Sequence, residues 1–282
     1  AEGVRFDQAV ASSGWTLPAV ASILTGAWPT VHKALGKGTL LTPISPDVPT
    51  ATEVLRGAGF RTLAFVNAAF LGPALALDRG FEVFDHVPVY NDRIRRAHVT
   101  VDAALAAVRR ARGKPTFLLL HLFDPHLDYD PLAPLDRSPP AGAPAAPLDG
   151  YEIGALWSED EGRLPAPEAI EWVRAVYEAE VAELDAAFGR LVDGLREMDL
   201  YDRATIALVS DHGEEFWEHG GFEHGHTLYD ELVHVPLILK LPAGRATGAP
   251  AGAEIAAQVR TLDLFPTVFD LYGVAAPPTF AC

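Results

Sequence analysis

Four short runs of consecutive apolar and β-branched residues stand out along the chain: Arg61 to Val66, Thr116 to Leu122, Thr205 to Val209 and Val235 to Leu239. Runs of this length with no polar alternation predict strands buried on both faces. Between them the apolar positions change period. Thr50 to Ala58, His98 to Ala111 and Glu168 to Leu195 space their apolar residues three and four apart, the last through Trp172, Val176, Val181, Leu184, Phe188 and Leu191. That spacing predicts amphipathic helices. Strands alternating with helices imply an α/β fold with a mostly parallel central sheet and helices on both faces. Ligands of such sheets gather beyond the carboxyl ends of the strands, so the residues after each strand are where chemistry is expected.

Residues 127–165 break both patterns. Rich in proline, alanine and glycine, they read as an irregular insertion that borders a site or moves over it. The whole span 1–282 is read as one domain, and no internal repeat is visible. The 38 acidic against 22 basic residues leave a formal charge of −16, which repels a phosphate backbone and argues against a nucleic-acid partner. An anionic substrate must therefore be met locally, by a metal or a concentrated cationic pocket. Cys282 is the only cysteine, so there is no disulfide framework, thiolate metal site or cysteine nucleophile. No apolar run is long enough to span a bilayer, and no signal-peptide pattern opens the chain. It begins at Ala1 rather than at a methionine, so sequence upstream is expected to have been lost.

Three segments carry candidate chemistry. After the third strand, Val209-Ser210 leads into Asp211-His212-Gly213-Glu214-Glu215. Adjacent aspartate and histidine at a strand end supply a hard oxygen and an imidazole nitrogen to one divalent cation, while Gly213 lets the backbone turn. An aspartate capping the next helix beside a surface histidine would read the same way. His219, His224, His226 and His234 follow within a short segment, which favours a built site over a loose metal-binding tract. The second strand ends in His121-Leu122-Phe123-Asp124-Pro125-His126. The aspartate-proline step forces an extended or turning backbone and sets His126 at the same sheet edge, although an ordinary turn with a solvent-facing histidine fits too. The third segment is Ser12-Ser13-Gly14-Trp15-Thr16-Leu17-Pro18 through Gly26. Thr16 reads as a helix N-cap with Pro18 in the first turn and Gly26 beyond the end. A hydroxyl there feels the positive end of the helix dipole, and a metal on the same oxygen would make it a nucleophile.

In this order the three segments resemble the sulfatase family of the alkaline phosphatase superfamily. Thr16, Pro18, Thr25 and Gly26 match its nucleophile motif, and the likeness continues through Ser45-Pro46-Asp47-Val48-Pro49-Thr50, Asp124-Pro125-His126 and the helix from Tyr177 to Leu195. It extends through Asp211-His212-Gly213-Glu214, Gly225-His226-Thr227-Leu228-Tyr229-Asp230-Glu231 and Arg260-Thr261-Leu262-Asp263-Leu264-Phe265-Pro266-Thr267. The resemblance implies a divalent cation (calcium, magnesium, manganese or zinc) held by Asp211, His212 and Thr16. Thr16 would be the nucleophile, His126 would steady the ester oxygens or the leaving group, and His224 or His226 would share that work. The implied substrate is a small-molecule, lipid or glycan sulfate or phosphate ester. Many relatives work outside the cytoplasm.

This sequence departs from the family in two places. Classical members convert a cysteine or serine to formylglycine with an arginine four residues on; here Thr16 and Val20 stand at those positions, and threonine cannot become that aldehyde. Direct attack by the hydroxyl is the expectation, as in relatives that transfer phosphoethanolamine or phosphoglycerol; a non-catalytic binding module is the other reading. The family also begins with a strand ending in aspartates that bind the same cation. Nothing before Phe6 can supply that strand, and Asp7 is not counted as a ligand. The chain as given is therefore expected to hold the cation at Asp211 and His212 weakly and to be inactive alone.

Overall fold

The computed structural model describes residues 2–38, 40–88, 95–111, 113–156, 164–245, 250 and 252–281. Cys282, and residues 157–163 of the expected insertion, lie outside the described residues. In chain order the elements are β1 (Val4–Val10), α1 (Thr16–Thr25), α2 (Pro29–His32), α3 (Ala51–Gly57), β2 (Arg61–Val66), β3 (Val83–His86), α4 (Ala97–Arg110), β4 (Thr116–Leu120) and α5 (Gly150–Leu156). Then follow α6 (Pro167–Glu197), β5 (Ile206–Val209), β6 (Glu215–Phe216), β7 (Phe222–Glu223), α7 (Asp230–Val233), β8 (His234–Lys240), β9 (Glu254–Arg260) and α8 (Leu264–Tyr272).

The strands β3, β2 and β4 form, in that order, a sheet that is parallel throughout, with Leu63 opposite both Val83 and Leu118. Successive side chains of a strand point to opposite faces, and β2 uses both. Leu63 and Phe65 pack with Val101 and Leu105 of α4 and with Ala187 and Leu191 of α6. Ala64 and Val66 join Leu17 and Leu24 of α1, Leu55 of α3 and Phe265 and Phe269 of α8. β4 repeats the division, Leu118 and Leu120 on one side, Phe117 and Leu119 on the other. Helices thus cover both faces, as the alternation of sequence periods implied.

The second sheet has the order β5-β8-β1-β9 and is mixed: β8 runs antiparallel to β5 and β1, and β1 runs parallel to β9. β1 is a strand that the sequence patterning did not place. The stretch around Phe6 does form a strand, starting at Val4, but Asp7 lies within it, paired with Arg5 at 2.8 Å, and not at its carboxyl end. Patterning missed it because Asp7 and Gln8 interrupt the apolar run where the register shifts, between Phe6 and Ala9. Within the described residues, β5 pairs only with β8 and β4 only with β2.

A further apolar cluster roofs one end of the molecule. Tyr129 and Leu148 exchange backbone hydrogen bonds of 2.9 and 2.8 Å. With Ile153 of α5 they pack on Trp172, Val173 and Val176 of α6 and on Phe216 and Trp217 of the β6–β7 hairpin. The segment that lacks periodicity is in this way seated on the long helix by a few large side chains.

Candidate active site

Two scaffold elements deliver the first pair of groups. Helix α1 begins at Thr16 itself; Trp15 is the N-cap, with extended backbone, and no side chain caps the helix. The N-cap assignment of Thr16 is thus corrected by one position, with a consequence: its hydroxyl is not spent on its own helix. It lies 3.2 Å from Nε2 of His212, at a helix end where the aligned peptide dipoles favour negative charge on oxygen. Gly26 closes the helix at φ 56°, a left-handed conformation that favours glycine.

Asp211 and His212 follow β5 directly. Gly213 then passes so close to α7 that an added Cβ would lie 2.0 Å from the Glu231 carbonyl oxygen. The His212 ring is oriented through its other nitrogen: Nδ1 sits 2.8 Å from the Gly213 carbonyl and must donate, because a carbonyl only accepts. In the neutral ring Nε2 then carries the lone pair and faces Thr16, either to take a proton or to bind a cation. Asp211 accepts the His212 backbone N–H at Oδ1, 3.1 Å away. Its Oδ2 is shut off from solvent with no hydrogen-bond partner among the described residues, 3.7 Å from His212 Nε2. Burial opposes ionisation of this carboxyl, but the imidazoles of His212 and His121 outweigh it and hold its pKa below the usual range. A buried, ionised, unpartnered oxygen beside an imidazole lone pair and a hydroxyl is a donor set that fits a divalent cation.

Two more histidines complete the cluster. The His224 ring lies 4.2 Å from that of His212, and the His126 ring 5.3 Å from that of His224. His224 Nδ1 is 2.8 Å from Oε1 of Glu214. Burial pulls its pKa down, yet the hydrogen bond and charge of Glu214 prevail and raise it, favouring the imidazolium. His126 stacks on Phe123 with ring centres 4.3 Å apart, and its Nδ1 is 2.5 Å from the Leu127 carbonyl. Burial lowers its pKa and keeps it neutral. The reading of His126 as a solvent-facing turn residue does not hold. His226 stands apart: its Nε2 pairs with Glu215 at 2.8 Å. His219 pairs with Glu231, and His234 reaches the Asp7 carbonyl at 2.7 Å. Of the two alternatives at this register, the structure brings His224, not His226, beside His212.

Several residues given no role by the sequence reading build the surroundings. The Tyr129 hydroxyl donates to Oε2 of Glu214 at 3.0 Å. Asp124, on the turn that leads to His126, accepts the Ala97 N–H at 2.9 Å. Arg96 reaches both Asp124 and Glu180 at 3.5 Å, and Asp130 at 2.5 Å. Glu180, in the middle of α6, accepts the Asp130 N–H at 2.8 Å, and burial pushes its pKa up to about 7. Lys37 brings an ammonium to the same edge, so near Gly225 that an added Cβ there would lie 2.7 Å from Nζ. Among these, Glu214 and Asp124 sit inside recognisable motifs and Glu180 within the helix the resemblance covers; Tyr129, Arg96, Asp130 and Lys37 are signalled by tertiary contact alone.

Comparison with known proteins identifies the family and the fold. The sulfatase family model matches residues 1–274. Arylsulfatase K of Mus musculus is 35% identical over 112 residues, which are 40% of this chain and 19% of that protein. The chain thus matches about a fifth of that curated relative. The phosphonate monoester hydrolase SpPMH from Silicibacter pomeroyi superposes with a TM-score of 0.73 at 24% identity, covering 98% of this chain and 67% of its own. BT4656, solved with its substrate D-glucosamine-2-N,6-O-disulfate, gives a TM-score of 0.73 at 19% identity over 99% of this chain and 71% of its own. At these identities the superpositions establish the fold.

Proposed function

The chain belongs to the sulfatase family, and from that premise we propose that it carries the active site of a hydrolase cleaving sulfate, phosphate or phosphonate esters with Thr16 as the nucleophile. One observation carries the reading: Thr16 and His212, 196 positions apart, meet with Oγ1 and Nε2 3.2 Å from each other. That is the separation proton transfer from a nucleophile requires, and sequence proximity does not create it. The substrate class is supported by the sugar disulfate bound to one structural neighbour and the phosphonate monoester named for another. A small molecule or glycan bearing such an ester is the natural candidate.

The chain's own groups account for both half-reactions. Thr16 Oγ1 attacks sulfur or phosphorus opposite the leaving oxygen while His212 Nε2 takes its proton. The bond to the ester oxygen breaks, and the departing alcohol takes the proton that Glu214 holds on His224. A threonine ester remains. Water then attacks the same centre, returning a proton to His224, and Thr16 leaves with the proton stored on His212. His126, neutral through burial, is available to accept a hydrogen bond from the alcohol or the water. Lys37 supplies positive charge for the anionic group in a chain that is otherwise acidic. Where the His212 Nε2 lone pair is given to a divalent cation instead of a proton, Asp211, His212 and Thr16 would hold that cation, which would supply Lewis-acid polarisation of an ester oxygen and lower the pKa of the threonine hydroxyl, replacing His212 as the group that activates it.

Replacing Thr16 by alanine in the full-length protein tests the assignment, assayed on aryl sulfate and phosphonate monoester with manganese, calcium or zinc. The expected loss in kcat is at least about 10³-fold. Undiminished turnover would exclude Thr16, and silence of the unaltered protein on every substrate would favour a non-catalytic module.

A further inference from the structure

A second histidine-carboxylate group lies outside the cluster around Thr16. One ligand atom each from Glu215, His219 and Glu231 falls within 4.8 Å of the others. Glu215 opens the β6–β7 hairpin, His219 sits at its tip, and Glu231 belongs to α7. The Glu215 side chain is fully buried, that of Glu231 is 15% exposed, and that of His219 is 43% exposed. The group is therefore a partly enclosed site with one side open to solvent. The His219 ring is held flat against Tyr229, ring centres 3.6 Å apart and planes 8° from parallel, so that Nδ1 points at Glu231 Oε1, 2.5 Å away.

The charge around this group is unbalanced. Between Arg203 and Lys240 the sequence has no lysine or arginine, but it has seven carboxylates (Asp211, Glu214, Glu215, Glu218, Glu223, Asp230 and Glu231) and five histidines. Arg174 neutralises Glu218 from α6. Glu215 Oε1 accepts the backbone N–H groups of Gly221 at 2.7 Å and His219 at 3.1 Å, and Oε2 meets His226 at 2.8 Å. A carboxylate offers about four lone-pair sites, so these contacts leave capacity on a side chain that is wholly withdrawn from water. Two carboxylates and an imidazole of this compactness are a zinc-type ligand set, too few in oxygens to satisfy calcium.

We propose that Glu215, His219 and Glu231 bind one zinc-class divalent ion, separate from any ion at Asp211 and His212, and that this ion pins the β6–β7 hairpin to α7. The hairpin leaves Glu214 at one end and runs into His224 at the other, so the clamp fixes the pair that faces His212.

The test uses the protein with Asp211→Asn, which disables the first site, and compares it with the same protein carrying His219→Gln or Glu231→Gln. Zinc is titrated calorimetrically, and Co2+ substitution is followed by its ligand-field absorption. The expected result is one zinc per chain in the Asp211→Asn protein, with affinity weakened at least about 100-fold by either further change, as loss of a ligand would cause. The Co2+ absorption should vanish with His219→Gln. Equal zinc binding with and without His219, or no zinc binding to the Asp211→Asn protein when it melts cooperatively, would overturn the proposal and leave His219 and Glu231 as an ion pair.

Discussion

The two halves of the candidate site are held by different forces. Thr16 and His212 rest on α1 and the end of β5, where the support is hydrocarbon: Leu17, Leu24, Val66 and Phe269 are buried around them. His126 and His224 rest on the 124–130 turn and the β6–β7 hairpin, where charge adds to the support: Arg96 pairs with Asp124 and Glu180, each of which also accepts a backbone N–H, and Glu214 pairs with His224. Apolar packing is indifferent to pH and salt, whereas buried ionised groups depend on every partner remaining in its charge state. The reactive pair is therefore fixed by the part of the molecule least open to adjustment, and the pair that handles protons by the part most open to it.

The largest expected effect follows from breaking the charged half. Arg96→Met removes the cation facing Asp124 and Glu180, whose side chains are 4% and 3% exposed. Stranding them should cost about 3–5 kcal/mol in urea unfolding. On the apolar side, Leu17→Ala at a fully buried position should cost about 2–5 kcal/mol. The informative difference is the pH dependence between about pH 5 and about pH 8: the Leu17 penalty should stay the same, and the Arg96 penalty should shrink toward the lower pH as Glu180, whose pKa burial raises to about 7, takes up its proton. Equal pH profiles for the two variants would remove the distinction.

A second, smaller effect gives the halves opposite signs. Glu180 has its pKa raised to about 7 by burial, so the folded state holds a proton that the unfolded chain has already released. Its contribution is full at low pH and is lost as pH rises from the ordinary carboxyl range to about 7, by at most about 3 kcal/mol. Glu180→Gln should flatten that slope. His32, on the apolar side, has its pKa lowered to about 4 by burial. Its Nδ1 accepts the Ala34 N–H at 3.0 Å, leaving Nε2–H for Ser22 Oγ, also at 3.0 Å. That neutral form is complete above its ordinary pKa, and its stability is lost as pH falls from there toward about 4, again by at most about 3 kcal/mol. Urea midpoints across this range, with and without Glu180→Gln, should separate the two slopes.

The same division explains what was legible in the sequence. The runs at Arg61 and Thr116 and the period at Glu168 became β2, β4 and α6 because long-range packing follows the local apolar pattern. Asp211 and His212 were readable because they follow a strand end directly. Strands β3 and β9 went unread: one has four residues, and the other is an edge strand with largely exposed side chains, so neither concentrates apolar residues. The roles of Arg96 and Glu180 were invisible for a different reason. A buried charge looks in sequence like any charge on a helix face, and only the partner, tens of residues away, distinguishes it.

The smallest effect sharpens the comparison most, because it touches the charged half through one hydrogen bond and leaves its charges in place. Tyr129 is fully buried, and its hydroxyl donates to the Glu214 oxygen that does not face His224. Tyr129→Phe keeps the ring packed against Tyr177 and Phe216, so the loss should lie at the low end of about 1.5–3 kcal/mol, the range for a hydrogen bond to a charged group. Freed of that donor, Glu214 concentrates its negative charge on the oxygen facing His224, and the imidazolium there is stabilised further. Histidine NMR should therefore show His224 titrating at higher pH in the variant than in the unaltered protein, with His32 unmoved. A His224 midpoint and a stability that both stay in place would mean that Tyr129 only fills space, and that this cluster is packed like the scaffold.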